Sequence, residues 1–196
     1  MSLRLSRDEA WDLLIEWVSS PSLRRHCLAV ETAMRAYAER FGEDVELWSV
    51  VGLLHDMDYE RYPDLETGHP RHAIAELERR GVDPVIVRGI ASHADFLGVP
   101  RESLMEKTLY AVDELSGFIL AVGAVRPEGL RGITAKSVKK KLKQPSFAAA
   151  VNREEVRRGA EELGVDFDEH VATVIAALEA RADELELHGS GSSAAA

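Results

Sequence analysis

The sequence contains a single cysteine, Cys27, and no long apolar run, and these absences exclude several classes of protein. One thiol cannot form an internal disulfide, and it gives no support for a Cys-based zinc site or a redox pair. A membrane-spanning helix needs roughly 20 consecutive apolar residues, and residues 1–12 lack the apolar segment of a signal peptide. From the sequence we therefore expect a cytoplasmic protein with no membrane partner.

Several catalytic motifs are also missing. The sequence has no GxxxxGK[ST] phosphate loop, no GxGxxG turn after a strand and no GxSxG turn, so ATP-driven, dinucleotide-dependent and Ser-based chemistry lack support. Basic residues are fewer than acidic ones: the sequence has 24 Lys and Arg and 34 Asp and Glu, which gives a net charge of −10. A surface of that balance repels a phosphate backbone, which disfavours a nucleic-acid polymer as partner.

What the sequence does contain is helical periodicity. Apolar residues recur at a spacing of about 3.6, and helix start signals precede them. Ser6 with Glu9 forms a capping box, Pro21 and Pro70 suit first helical turns, and Gly42 suits a helix end. Residues 58–68 are typical of a loop between helices. The predicted fold class is all-α.

The predicted organisation is one helical domain over residues 1–188, because a chain of 196 residues usually builds a single core. Its core spans about 20–125, and a C-terminal helical extension spans 134–188. Residues 189–196 have the composition of a flexible linker, either native or left by cloning. No internal repeat is evident.

Three ionisable residues lie on helix stripes that are otherwise apolar. His26 is spaced with Leu23 and Val30, and His55 continues the row of Trp48 and Val51. Asp113 lies inside the apolar segment TLYAVDELSGFILAV. A buried carboxylate there would cost several kcal/mol unless a cation or strong hydrogen bonds compensated it.

Asp56 directly follows His55, about 100° further around a helix. Both side chains can reach one ion only if that ion lies in the groove between their two faces, and Gly52 leaves space beside this groove. Imidazole and carboxylate ligands suit Fe, Mn, Zn or Ni, or Mg where oxygen ligands dominate. The residues therefore indicate a site for a divalent metal.

In this order, His26, His55-Asp56 and Asp113 match the H…HD…D pattern. Over roughly residues 20–125 the sequence resembles the HD-domain superfamily of metal-dependent phosphohydrolases, in particular small HDIG-like hydrolases. The resemblance implies an HD-type helical bundle with added C-terminal helices. It also implies that His26, His55, Asp56 and Asp113 are metal ligands.

Two further histidines resemble the subgroup that binds two ions. His69, in GHPRHA, and His93, in ASHAD, stand where such relatives hold the second ion, and the resemblance makes Asp56 the bridge between ions. His72 lies three residues after His69, on a similar helical face, so it replaces or joins His69 as an alternative. One versus two ions is left open by the sequence.

The implied reaction is hydrolysis of a small phosphomonoester or nucleotide-like phosphoester by a metal-activated water. Asp56 and Asp58 are the candidate catalytic residues. Asp58 would orient the water or protonate the leaving group, although it could equally cap a helix or face solvent. Candidate phosphate-binding residues share a cationic side chain near the predicted site or in the lysine-rich segment: Arg71, Lys136, Lys139 and Lys140. A solvated helix face is the alternative for the lysines.

Two other functions fit the same residues. One is a di-iron HD-type oxygenase, and the other is a non-catalytic module that binds a nucleotide or a protein. Tyr59 and Tyr62 suit either stacking on a nucleobase or anchoring of the loop, while His170 and His188 fit structural or exposed positions. A homo-oligomer is compatible with the sequence, which does not identify the substrate.

Overall fold

The computed structural model describes residues 2–187. Within that span the fold class is all-α, as predicted, with nine α helices and one short 3-10 turn at Asp95–Leu97. None of these helices is long and apolar enough to cross a membrane. The helices are α1 (Arg7–Trp17), α2 (Pro21–Phe41), α3 (Val45–Leu54), α4 (Arg71–Arg79), α5 (Pro84–Ser92), α6 (Leu104–Ala124), α7 (Ala135–Leu142), α8 (Arg153–Leu163) and α9 (Phe167–Ala180).

Local sequence signals fix the ends of several helices. Ser6 accepts from the Glu9 N–H while the Glu9 side chain accepts from the Ser6 N–H, so the predicted capping box is present at α1. Asp44 caps α3 by accepting from the Leu47 N–H. Gly42 ends α2 with φ of 72°, a left-handed conformation that glycine adopts without steric cost.

The described chain divides into two compact units, with the boundary between Tyr110 and Ala111 inside α6. The first unit contains α1 to α5 and the beginning of α6. The second contains the rest of α6 together with α7, α8 and α9. The predicted single domain over 1–188 stays a prediction, and residues 188–196, with His188 and the proposed linker, lie outside the described residues.

In the first unit, α2 packs along α3, and the two helices approach closely at Gly52. A Cβ atom on Gly52 would lie 3.0 Å from the Glu31 Cα atom and 3.0 Å from the Met34 Cγ atom. The space that the sequence suggested beside Gly52 is therefore filled by α2. This packing matters for the site, because it holds the end of α3 against the first half of α2.

In the second unit, α8 approaches α6 through another glycine. A Cβ atom on Gly159 would lie only 2.5 Å from the Ala111 Cα atom. His170 is fully buried on α9, and its Nε2 atom donates a hydrogen bond to the Ala111 carbonyl oxygen at 3.0 Å. His170 therefore has the contacts of a structural residue.

Candidate metal centre

The side chains of the candidate site lie in or next to the first or last turns of helices. His26 lies in the second turn of α2, and His55 is the C-terminal cap of α3, so Asp56 begins the turn that follows. His69 precedes α4, and His93 is the C-terminal cap of α5. All five residues belong to the first unit. Distant segments of chain thus place their imidazoles and one carboxylate together.

One group consists of His26, His55 and Asp56. The Nε2 atoms of the two histidines are 3.3 Å apart. Asp56 Oδ2 lies 3.5 Å from His26 Nε2, and Asp56 Oδ1 lies 3.5 Å from His55 Nε2. One ligand atom from each residue lies within 4.8 Å of the others, so the three could hold one metal ion.

A second group consists of Asp56, His69 and His93. The two Nε2 atoms are 3.1 Å apart, and Asp56 Oδ1 lies 3.4 Å from that of His69 and 3.7 Å from that of His93. These three residues could likewise hold one metal ion. Asp56 is common to both groups, which is the arrangement of a bridging carboxylate.

The hydrogen bonds behind the rings determine which nitrogens face the centre. His55 Nδ1 donates to the Gly52 carbonyl oxygen at 2.8 Å, and His93 Nδ1 donates to the Ile90 carbonyl oxygen at 2.5 Å. A carbonyl oxygen only accepts, so each Nδ1 atom carries the proton. In the neutral ring, Nε2 then presents a lone pair toward the centre, which is the state that a metal ligand requires.

This donor set fits a divalent ion. With Nδ1 of His69 and of His93 each donating to an oxygen, the two Nε2 atoms of the neutral rings face each other at 3.1 Å with lone pairs, which repel unless a positive charge lies between them. Ligand atoms about 2.1 Å from an ion and 90–109° apart would be roughly 3.0–3.4 Å from each other, close to the observed separations. Four imidazoles with one carboxylate favour Fe, Mn, Ni or Zn over Mg, which prefers oxygen ligands.

Asp58 lies behind His69 rather than at the centre. It is fully buried, and its Oδ1 atom accepts from His69 Nδ1 at 2.7 Å while its Oδ2 atom accepts from the Ala73 N–H at 2.8 Å. Of the predicted alternatives, exposure to solvent is wrong, and the contact with Ala73 is that of a helix cap on α4. Both oxygens are engaged, so the geometry favours positioning of His69 over direct contact with water.

The neighbouring candidates have other contacts. His72 stacks on Tyr62, with ring centroids 3.7 Å apart and planes 13° apart, and among the described residues it belongs to neither metal-holding group. Arg71 donates to the Leu65 carbonyl oxygen at 2.8 Å and packs over the Phe96 ring. Its predicted contact with phosphate stays a prediction.

The remaining candidates lie in the second unit. Asp113 is half-buried on α6, and its membership of the ligand set stays a prediction. On α7, Lys136 and Lys140 are exposed, and Lys139 forms an ion pair with Asp168 at 2.6 Å. That pairing is typical of a solvated helix face. Phosphate binding by the three lysines likewise stays a prediction.

Two further residues lie beside the centre: Tyr59, which the sequence suggested for stacking or for anchoring the loop, and Glu60, which sequence reasoning missed. Tyr59 contacts His69 edge-on, with ring centroids 5.2 Å apart. Glu60 lines a cavity of about 370 Å³ that also reaches His26. Only its position four residues after Asp56 signalled Glu60, since an acidic residue in a polar loop carries no chemical pattern of its own.

The comparison with known families agrees with this geometry. Residues 23–117 match the HD domain. The chain contains an HD domain. The matched span includes all five residues of the two groups, together with Asp113. No curated protein and no solved structure matches the chain.

Proposed function

We propose that the protein is a metal-dependent phosphohydrolase that cleaves a small phosphomonoester or nucleotide-like phosphoester. The observation that carries the proposal is the convergence of four Nε2 atoms on the shared carboxylate of Asp56. Two adjacent groups of metal-binding side chains are what a hydrolase needs to bind both the attacking and the leaving oxygen of a phosphoester. Membership of the HD domain family supports the same class of reaction.

In this proposal the ligands divide between two ions. His26, His55 and Asp56 would hold the first, with Asp113 as a further ligand, and Asp56, His69 and His93 would hold the second. Bound divalent ions would supply an activated water at neutral pH and would stabilise charge on the phosphoryl oxygens. Asp58 would keep the proton of His69 on Nδ1, which leaves Nε2 free to bind.

The charge of the ligand set favours an anionic substrate. Histidines that bind a metal through Nε2 are neutral, so Asp56 is the one anionic side chain in the two groups. Even with Asp113 added, the loaded site would keep a net positive charge. A phosphoester dianion gains more from such a site than a neutral ester does.

The test is a metal and substrate screen on the purified chain. Metal-free protein is loaded separately with Mn²⁺, Fe²⁺, Ni²⁺, Zn²⁺ or Mg²⁺ and assayed against aryl phosphates, sugar phosphates and nucleotides. We expect turnover that depends on the ion and falls at least about 100-fold in Asp56→Ala. Asp64→Ala, which alters an exposed loop carboxylate, is the matched control and should keep wild-type activity.

Other outcomes would select a different function. Iron content near two per chain with oxygen consumption, but without phosphate release, would indicate the di-iron oxygenase alternative. Nucleotide-dependent thermal stabilisation without any product would indicate a binding module. A metal-loaded protein that is inactive across the whole panel would contradict the phosphohydrolase assignment.

A further inference from the structure

A cavity of about 370 Å³ lies against the candidate centre in the first unit. Its walls come from the start of α2 and from the turn after Asp56, and they are Ser20, Ser22, Leu23, His26, Tyr59 and Glu60. His26 is at once a wall of the cavity and a member of the first metal-holding group. A molecule in this cavity would therefore touch the centre at one end.

Differences in burial place the opening of the centre on the same side. The side chains of His55, His69 and His93 are at most 5% exposed, whereas that of His26 is 19% exposed and that of Asp56 is 15% exposed. Solvent therefore reaches the two groups by way of His26 and Asp56. A phosphoester bound there extends the rest of its structure into the cavity beside His26.

One part of the cavity wall is apolar. Tyr59 is 42% exposed, and the edge-on contact with His69 orients its ring. Leu23 provides a second apolar surface. An exposed aromatic ring held by a rigid neighbour can stack on a flat or ring-shaped group at low entropic cost.

The rest of the wall is polar and carries negative charge. Glu60 Oε2 accepts from the backbone N–H groups of Ser20 and Ser19, both at 2.8 Å. The hydrogen bond from the Ser20 N–H, with further help from that of Ser19 and from Arg24 and Arg61, lowers the pKa of Glu60. The carboxylate is therefore ionised at neutral pH, and its Oε1 atom remains to accept from a ligand hydroxyl.

The described wall of the cavity contributes no lysine or arginine for a phosphate. The two nearby arginines donate to the end of α1 instead: Arg24 to the Val18 carbonyl oxygen at 2.7 Å and Arg61 to the Glu16 carbonyl oxygen at 2.6 Å. The hydroxyl donors among the lining side chains are those of Tyr59, Ser20 and Ser22, and the two serine oxygens lie 2.9 Å apart.

We propose that this cavity is the leaving-group subsite and that it accepts an uncharged, hydroxylated ring, as in the monophosphate of a sugar or a nucleoside. Tyr59 stacks on the ring, and Glu60 accepts a hydrogen bond from its hydroxyl groups. A nucleoside diphosphate would place a second phosphate in the subsite beside a carboxylate and without a cation. Glu60 thus selects monophosphates over diphosphates. This inference rests on the proposed function.

Glu60→Gln is the decisive variant, because the Gln carbonyl oxygen still accepts from the Ser19 and Ser20 N–H groups while the charge is lost. The probes are adenosine 5′-monophosphate, ribose 5-phosphate and adenosine 5′-diphosphate, with kcat and KM measured for each on metal-loaded protein. We expect the wild type to favour the monophosphate over the diphosphate by at least about tenfold in kcat/KM. In Glu60→Gln the KM for both monophosphates rises about tenfold and the preference shrinks.

Two further variants separate the parts of the subsite. Tyr59→Leu should raise KM for adenosine 5′-monophosphate more than for ribose 5-phosphate if the base stacks, and equally if the sugar does. Glu66→Gln, at an exposed position of the same loop, is the matched control and should leave all three substrates at wild-type values. An unchanged monophosphate preference in Glu60→Gln, or a wild type that prefers the diphosphate, would overturn the inference.

A measurement without turnover distinguishes this inference from the proposed function. Calorimetric titration of metal-loaded protein with adenosine reports on the subsite alone. If wild-type protein binds adenosine and Glu60→Gln binds it about tenfold more weakly, the subsite stands even where no phosphoester is hydrolysed. If adenosine does not bind at all while phosphoesters are hydrolysed, the proposed function stands and the subsite is refuted.

Discussion

Two polar clusters are built on α2 and α3, and they differ in the groups that meet at their centre. In the first cluster, Glu31 of α2 accepts two hydrogen bonds from Arg7 of α1, at 3.0 and 3.1 Å, and a third from Ser49 of α3 at 2.8 Å. In the second cluster, Nε2 of His26 on α2 and Nε2 of His55 at the end of α3 lie 3.3 Å apart, and each lies 3.5 Å from an oxygen of Asp56.

The comparison teaches how a structural polar cluster differs from a binding site. Glu31 is completely buried, but a guanidinium and a hydroxyl supply the donors that its carboxylate needs, so the cluster is complete without a ligand. In the histidine cluster, imidazole nitrogens and the oxygens of Asp56 converge instead, and these are groups that could hold a metal ion. Binding of a cation to such groups adds its binding free energy to the stability of the folded protein.

The largest loss of stability should come from breaking the cluster of Glu31, Arg7 and Ser49. Glu31→Ala leaves Arg7 and Ser49 without their shared acceptor, and we expect the free energy of unfolding to fall by about 3 kcal/mol. Urea denaturation in the presence of a chelator measures this. The cost should be the same with or without metal, because Glu31 does not face the centre.

The matched variant in the histidine cluster is Asp56→Asn. In chelator it should change the free energy of unfolding by less than about 1 kcal/mol, since Asn keeps the size of the side chain and one oxygen acceptor at a position that is 15% exposed. Excess metal at about 100 times its Kd should stabilise wild type and Glu31→Ala by about 2.7 kcal/mol and Asp56→Asn much less. Equal destabilisation by both substitutions in chelator would show that the clusters do not differ as described.

An intermediate effect, on metal binding, should come from Asp58. Its carboxylate is buried and fully hydrogen-bonded like that of Glu31, but one of its partners is the candidate ligand His69. In Asp58→Asn, the amide oxygen can keep the hydrogen bond from the Ala73 N–H, but the NH₂ group then faces His69 Nδ1. His69 must accept there and carry its proton on Nε2, which blocks the atom that faces the centre. We expect binding of the second ion to weaken about 10- to 100-fold.

Calorimetric metal titration and the histidine tautomers seen by NMR test this role of Asp58. The first ion, held by His26 and His55, should bind with near wild-type affinity. Asp64→Asn is the control, because Asp64 accepts comparable hydrogen bonds from Thr67 and Glu66 in the exposed loop. Two ions bound with unchanged affinity, or His69 still protonated on Nδ1, would refute the positioning role.

The helices were predictable from sequence because their signals are local. Ser6 with Glu9, Asp44 and Gly42 each act within four residues of the helix end that they fix. The HD domain was also predictable, since His26, His55-Asp56 and Asp113 keep their order and apolar setting. The capping signals depend on neighbours in the chain, and the HD pattern depends on the order of its residues. A single sequence displays both.

The features that escaped prediction depend on partners far along the chain. Asp58 acquires its role from His69 and from Ala73, 15 residues away, and Glu31 acquires its role from Arg7, 24 residues away. In the sequence alone, Glu31 is an ordinary helical acid, and Asp58 is a candidate for contact with the attacking water or the leaving group, without a sign of its hydrogen bond to His69. Gly52 was read as open space because sequence does not reveal which helix packs on it.

The smallest change in the free energy of unfolding should come from the surface ion pairs of Glu76, although their hydrogen bonds are short. Arg79 and then Arg80, both within one turn of Glu76 on α4, lower the pKa of Glu76 to about 2 from its usual 4.5. A lowered pKa contributes stability above pH 4.5 that is lost as the pH falls toward 2. Because Arg79 is exposed and water screens the pair, Glu76→Gln should cost less than about 1 kcal/mol at pH 7.

The cost of Glu76→Gln should shrink as the pH falls toward 2, and it should shrink in high salt. Urea denaturation at pH 7 and pH 3, with and without salt, would measure both changes. A loss at pH 7 as large as that of Glu31→Ala would mean that the number of ion pairs, rather than burial with complete pairing, sets the stability of this unit.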